Sequence, residues 1–208
     1  MSTLTTIAKS LRTTSRHRYG EMNERKSSVI FTYSDYRSFP DDGKHYQIIN
    51  GELFMSPSPR FFHQHIVFNI LRSLGNFLET NPLGVAVSAP MDVILSETDV
   101  VQPDILVILN ENKHIITVDN IVGAPDFIIE ILSPSNRVID LKKKRALYEL
   151  HGVKEYWIID PDIETIQKLV LKENRYEEVM MFDNEKDKKI SSNMLKGFSI
   201  DGKIIFKK

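Results

Sequence analysis

A chain of 208 residues, 41% hydrophobic and 26% charged, is long enough for one domain with a sizeable core and short for two. Cysteine is absent, which excludes disulfides, thiolate nucleophiles and zinc sites built on thiolates. The formal net charge of -1 argues against a protein that coats nucleic acid through bulk charge, so any such contact must depend on local basic patches or on bound metal.

The apolar runs and the N-terminal segment bear on location and domain organisation. No apolar run approaches the roughly 18 residues of a membrane span, and the N-terminus lacks the apolar stretch of a secretory signal. We therefore expect a cytoplasmic protein without a membrane partner. Residues 1–28 are rich in Ser, Thr, Lys and Arg, which predicts a flexible basic arm before a single domain over residues 29–208. An arm that touches phosphates is the alternative.

The first predicted elements are a short helix and a β-hairpin. The helix covers residues 32–39 and is stopped by Pro40. The hairpin joins strands over residues 46–49 and 52–55 through Asn50-Gly51, the strongest short hairpin signal.

A long helix and a series of strands follow the hairpin. Apolar residues recur at helical spacing over residues 63–80, which predicts an amphipathic helix. The next strands are predicted over residues 85–89, 91–95, 104–109 and 126–132. The last two are continuous apolar runs opened by Pro-Asp, which is typical of central strands buried on both faces.

The C-terminal third completes the predicted fold. Residues 140–151 form an amphipathic helix closed by Gly152, residues 156–159 form a strand, and short antiparallel strands follow in the tail. This order predicts an α/β (α+β) domain with a mixed sheet flanked by helices. The sequence has no glycine-rich phosphate loop, so no motif supports a nucleotide-binding doubly wound fold.

Two carboxylates stand within the predicted central strands. Asp104 opens the run DILVIL, and Glu130 interrupts the run PDFIIEIL. A carboxylate inside such a run is costly unless it is paired, hydrogen-bonded or bound to metal. A structural salt bridge is one interpretation. A cation site is the other, and the lack of Cys and of a clear His cluster favours magnesium or manganese over zinc.

The helix after Glu130 brings basic residues towards the same place. Asp140, Lys144 and Tyr148 are spaced by four and lie on roughly one helix face. An exposed face with an Asp–Lys pair worth about 0.3–0.5 kcal/mol is one interpretation. Because the helix follows the strand after a short loop, Lys144 is alternatively placed to meet a substrate phosphate or to orient a water.

Together these motifs resemble the Uma family of restriction endonucleases, within the PD-(D/E)XK nuclease superfamily. The resemblance covers about residues 33–182. It rests on ING-E-L…MSPSP…H, V-Q-P-D-I, PDFIIEILSPS and D-L-x-x-K-x-x-x-Y-x-x-x-G-V-x-E-Y-W-x-x-D-P. It implies a restriction-endonuclease-like fold, with the N-terminal hairpin and the C-terminal antiparallel strands around the sheet.

The resemblance also implies roles for individual residues. Asp104 and Glu130 would hold a divalent metal, with the carbonyl of Ile131 as a third ligand. The lysine usual two residues after the glutamate is missing, because Leu132 stands there, and Lys144 would be the displaced catalytic lysine.

Three further positions are candidates on the same basis. Glu52 would be the acidic residue of the early hairpin, acting as a further metal ligand or through a water. His63 falls where the family often has a histidine, and we count it with Tyr148 as a candidate substrate-binding residue. Capping or packing is the alternative for His63, and packing is the alternative for Tyr148.

The implied function is a metal-dependent phosphodiesterase, an endonuclease that hydrolyses DNA with water activated by Mg²⁺ or Mn²⁺. A catalytically inactive protein of the same fold, which binds nucleic acid or a protein partner, is the first alternative. A hydrolase of smaller phosphodiesters or nucleotides is the second. A homodimer stays open as the oligomeric state.

Overall fold

The computed structural model describes residues 29–40, 42–56, 58–133, 137 and 139–207. The predicted basic arm over residues 1–28 lies outside them. In this described part of the chain, no helix has both the length and the apolar character needed to cross a membrane.

The secondary structure follows the predicted order with some additions. The helices are α1 (Tyr33–Tyr36), α2 (Phe61–Thr80), α3 (Arg145–His151) and α4 (Gly202–Ile205), with a 3-10 helix over Asn110–Ile115 and a π-helix over Ile139–Lys144. The strands are β1 (His45–Ile49), β2 (Glu52–Ser56), β3 (Gly84–Ser88), β4 (Val93–Ser96), β5 (Asp99–Val101), β6 (Ile105–Leu109), β7 (Ile121–Val122), β8 (Phe127–Ile131), β9 (Glu155–Asp160), β10 (Thr165–Lys172), β11 (Arg175–Asp183), β12 (Lys189–Ser191) and β13 (Ser199–Asp201).

The strands form two mixed sheets and one short pair. The central sheet has the order β11-β10-β9-β8-β6-β3, and only β8 and β9 run parallel in it. A second sheet has the order β2-β1-β5-β4-β7, and β12 pairs with β13. The predicted α+β class with helices around mixed sheets is confirmed. The sequence indicated one sheet, because β5, which joins the hairpin to β4, was not predicted.

The β1–β2 hairpin confirms the Asn-Gly prediction. Asn50 and Gly51 have φ angles of 51° and 74°, the left-handed conformation that a tight two-residue hairpin turn requires. Asp99 of β5 accepts a hydrogen bond from the Asn50 amide at 2.7 Å, which fastens this turn to the neighbouring strand β5.

Two hydrophobic cores cover the two faces of the central sheet. One face packs against α2 and the C-terminal elements, and the other packs against α3 and the second sheet. Strands β6, β8 and β9 contribute buried residues to both cores, which explains why their sequences are continuous apolar runs. Any polar side chain in these strands therefore has to find its partners inside the protein.

The connection between β8 and β9 differs from the prediction. The predicted helix over residues 140–151 is a π-helix, Ile139–Lys144, followed by α3. A π-helix has i→i+5 hydrogen bonds and turns less per residue than an α-helix, so faces inferred at 100° per residue do not apply to its first turns. Gly152 ends α3 with a φ of 82°, as its C-terminal position predicted.

At the start of β9, a second buried carboxylate anchors the C-terminal strands. Glu155 is fully buried and accepts hydrogen bonds from the Trp157 indole at 2.7 Å and the Ser192 hydroxyl at 2.7 Å. The amides of Asn193 and Met194 also donate to it, at 2.8 and 2.9 Å. Glu155 therefore holds the loop after β12 against the central sheet.

We expect Glu155→Ala to lower the free energy of unfolding by about 3–5 kcal/mol, because the buried donors around it lose their acceptor. Urea denaturation measures the change. The matched control is Glu177→Ala, whose side chain is exposed and pairs with Lys172, with an expected loss within about 1 kcal/mol. Equal small losses in both variants would contradict an anchoring role.

Candidate active site

The candidate site lies where β8 ends and β6 begins. The β6–β8 register pairs Ile105 with Ile129, so one further step places Asp104 opposite Glu130. The carboxylate of Asp104 accepts a hydrogen bond from the Ile131 amide at 2.7 Å. The two carboxylates singled out in the sequence are thus brought to one end of the central sheet.

Glu130 is held by two donors from the crossover connection. Its side chain is 2% exposed, and its Oε1 atom accepts hydrogen bonds from Lys144 Nζ at 2.8 Å and from the Tyr148 hydroxyl at 2.7 Å. Lys144 and Tyr148 therefore share a face, as their spacing predicted. The side chain of Asp140, the third residue of that spacing, lies outside the described residues.

One sequence interpretation of this helix needs correction. Lys144 is 3% exposed, so it does not belong to a solvated basic face. Its burial follows from the need of Glu130 for a cation in a strand with both faces covered. Tyr148 is fully buried and bonded to Glu130, a placement that favours positioning of the carboxylate. Contact between Tyr148 and a substrate phosphate stays a prediction.

His63 closes the site from the α2 side. Its Nε2 atom lies 3.1 Å from Asp104 Oδ2 and 3.1 Å from the carbonyl oxygen of Ile131. Burial by itself lowers the pKa of His63, but the hydrogen bond and charge of Asp104, with smaller effects of Glu130 and the Ile131 carbonyl, outweigh it and raise the pKa above its usual value. His63 therefore contacts two of the groups that the family resemblance names as metal ligands.

Glu52 reaches this region through a neighbour of Lys144. Its carboxylate pairs with Lys143, whose ammonium also lies 4.6 Å from the centre of the Phe54 ring. Lys143 thus turns towards the hairpin that carries Glu52, whereas the neighbouring Lys144 turns towards Glu130. A metal-ligating role for Glu52 stays a prediction.

The donor set suits a hard divalent cation. It consists of the Asp104 and Glu130 carboxylates and the carbonyl of Ile131, the oxygen ligands that Mg²⁺ and Mn²⁺ prefer. Among the described residues, no group of three or more His, Cys, Asp or Glu side chains is arranged to hold a metal ion. A cation here would need the backbone carbonyl or bound waters to complete its coordination.

The sequence interpretation missed the outward face of α2. Phe61, His65, Phe68 and Arg72 lie on one side of this helix, away from its core residues. Their spacing of four, three and four residues is a helical period. The prediction considered only the apolar residues over 66–78, which form the core face of the helix.

We expect Lys144→Met to lower the free energy of unfolding by about 3–5 kcal/mol, because it removes the ammonium that pairs with the buried Glu130 carboxylate. Tyr148→Phe should cost about 1–2 kcal/mol for its lost hydrogen bond. In the double variant Lys144→Met, Glu130→Gln, much of the lysine's cost should be recovered. Urea denaturation tests this, and additive losses would refute the coupling.

Among solved structures, the chain is similar to a protein from Anabaena variabilis described as "a putative nuclease belonging to DUF820", with a TM-score of 0.70 and 20% sequence identity. The match covers 85% of this chain and 97% of that chain, and at this identity it shows the fold alone. No curated protein matches the chain in sequence.

The family comparison covers the hairpin, the carboxylates and the crossover connection. Residues 33–202 match the family model Uma2, described as "Putative restriction endonuclease". The matched range extends further towards the C-terminus than the motifs indicated. Because it spans well over half of the chain, the protein belongs to the Uma2 family of nucleases.

Proposed function

We propose that this protein is a metal-dependent endonuclease that hydrolyses DNA. The observation that carries the proposal is the buried Glu130 carboxylate, which is bonded to Lys144 and stands opposite Asp104 at one end of the central sheet. Two acids and a lysine at this position of a nuclease fold are a constellation suited to phosphodiester hydrolysis. Membership of the Uma2 family supports the substrate class.

The residues of the site divide the work among them. Asp104, Glu130 and the Ile131 carbonyl would hold Mg²⁺ or Mn²⁺, which relieves charge on the scissile phosphate and lowers the pKa of a bound water. Lys144 supplies a fixed positive charge for the phosphate or for orientation of the attacking water. Tyr148 fixes Glu130.

Two further contacts complete the site. His63 supports Asp104 through a direct contact. The pair of Glu52 and Lys143 fastens the hairpin to the helix that carries Lys144. This contact is consistent with an outer role for Glu52.

A binding protein on the same fold is the second candidate. Leu132 occupies the usual position of the motif lysine, and Lys144 is engaged by Glu130 inside the protein. In that case the exposed Lys142 and the half-exposed Lys143 and Arg145 would attract phosphates as interchangeable charges. The two candidates differ in whether cleavage depends on single residues.

We expect cleavage of DNA by the wild-type protein in the presence of Mg²⁺ or Mn²⁺ and no cleavage in EDTA. Asp104→Ala should abolish cleavage, because the metal loses a carboxylate ligand, whereas Asp92→Ala, which removes a carboxylate of the second sheet, should retain it. A nuclease assay measures the metal dependence and the effect of each variant. RNA of the same sequence is assayed in parallel to test the preference for DNA. Equal cleavage by wild type and Asp104→Ala, or none under any condition, refutes the proposal.

Divalent metal should raise the melting temperature, because it relieves repulsion between Asp104 and Glu130 and binds only the folded chain. At a concentration about a hundredfold above the dissociation constant, the gain is about 2.7 kcal/mol. Thermal melts with Mg²⁺ and Mn²⁺ measure the shift. The shift should vanish in Asp104→Asn, and a shift that survives this change would place the metal elsewhere.

The lysines separate catalysis from binding. We expect Lys144→Met to abolish single-turnover cleavage, whereas Lys142→Ala should keep the rate and only weaken binding with a smaller salt dependence. Lys144→Arg should restore part of the rate, because it keeps the charge. Assays run below the melting temperature of each variant separate this from unfolding. Equal, small losses for Lys142 and Lys144 variants would favour the binding protein.

A further inference from the structure

The outward face of α2 carries a column of three rings, with the half-buried His65 between two exposed phenylalanines. Phe61 and Phe68 are 84% and 56% exposed. The ring of His65 stacks on Phe61 at 5.8 Å and lies 6.4 Å from Phe68. The Arg72 guanidinium lies 5.3 Å from the centre of the Phe68 ring. We name these four residues the aromatic ridge.

The ridge is not needed to pack the helix. The opposite face of α2 already provides the core with Ile66, Ile70 and Leu74, which are fully buried. Single exposed apolar residues are common, but two exposed phenylalanines linked by a third ring form a surface whose contact with water is unfavourable. Such a surface is typical of a site that a partner covers.

The charges around the ridge indicate an anionic partner. Residues 53–78 contain no Asp or Glu, but they include Arg60 and Arg72. Arg60 is exposed at the N-terminal end of α2, where no side chain caps the helix. The helix dipole adds positive potential at that end. A second copy of this chain would bring the same positive charges, which disfavours the ridge as a contact between copies.

The ridge begins at the N-terminal end of α2, which also carries His63 of the candidate active site. Phe61 is two residues from His63, so at about 100° per residue their side chains point roughly 200° apart around the helix, and only His63 faces Asp104 and the Ile131 carbonyl. From Phe61 to Arg72 the helix rises about 16 Å at ~1.5 Å per residue. That length matches about five stacked nucleotides at ~3.4 Å each. A strand bound along this face would therefore have to pass around the N-terminal end of α2 to bring a phosphate to the site.

We propose that the aromatic ridge is a stacking platform for unpaired bases of the nucleic-acid substrate, with Arg60 and Arg72 contacting its phosphates. The proposal rests on the proposed function and extends it to the form of the substrate. Base stacking on aromatic side chains does not depend on sequence, because every base has a π face. The preferred substrate is thus a nucleic acid with a stretch of unpaired bases, either a single strand or a junction.

The test is equilibrium binding in EDTA, where cleavage cannot occur. Fluorescence anisotropy compares a short single-stranded DNA, the fully paired duplex and an abasic strand that keeps the phosphates but lacks bases. The double variant Phe61→Ala, Phe68→Ala should bind the single strand roughly 5- to 100-fold more weakly and the abasic strand unchanged. Phe61→Trp should retain binding, and Leu150→Ala, which removes an equally exposed apolar side chain from α3, should have no effect.

The outcomes distinguish this inference from the proposed function. Loss of base-dependent binding in the ridge variants supports the platform, even if no metal supports cleavage by the wild-type protein. Equal binding of intact and abasic strands by the wild type overturns it, even if Asp104-dependent cleavage is found. A ridge variant that changes the oligomeric state in gel filtration but not DNA binding also overturns it and assigns the ridge to a contact between copies.

Discussion

A carboxylate on a strand with both faces covered is stable only if charge and hydrogen-bond donors surround it, and Glu130 imposes this constraint on the whole crossover connection. Lys144 and Tyr148 meet it from one side. Across the sheet, Asp104 is fixed by the Ile131 amide and by His63. Short polar contacts thus join α2, the start of β6, and β8 with its crossover connection, and hydrophobic core residues surround these contacts.

The geometry of the π-helix determines which lysine pairs with Glu130. Four basic residues follow one another in the sequence, and only the local helical geometry selects Lys144 for Glu130 and Lys143 for Glu52. The pairing of Lys144 with Glu130 therefore depends on helix geometry as much as on residue type.

Much of the site was predictable because its signals are local. Asp104 and Glu130 stood out as polar interruptions of apolar strands, and the hairpin followed from Asn50-Gly51. The burial of Lys144 was not predictable, because four consecutive basic residues resemble a solvated face and nothing local announces a π-helix. Strand β5 was missed because Asp99–Val101 is short. The aromatic ridge was missed because core periodicity on the other side of α2 dominated the pattern.

The contacts of the site differ in sequence separation, so we expect its two halves to form at different stages of folding. Glu130 and Lys144 are 14 residues apart, so closing their loop costs little chain entropy once β8 and the crossover helix meet. His63 and Ile131 are 68 residues apart, and their contact requires α2 to dock on the finished sheet. A transient undocking of the first turns of α2 would then release His63 from Asp104 while Glu130, Lys144 and Tyr148 stay joined. The half formed by Glu130, Lys144 and Tyr148 would stay ordered. The contact of His63 with Asp104 would break and re-form with local opening of α2.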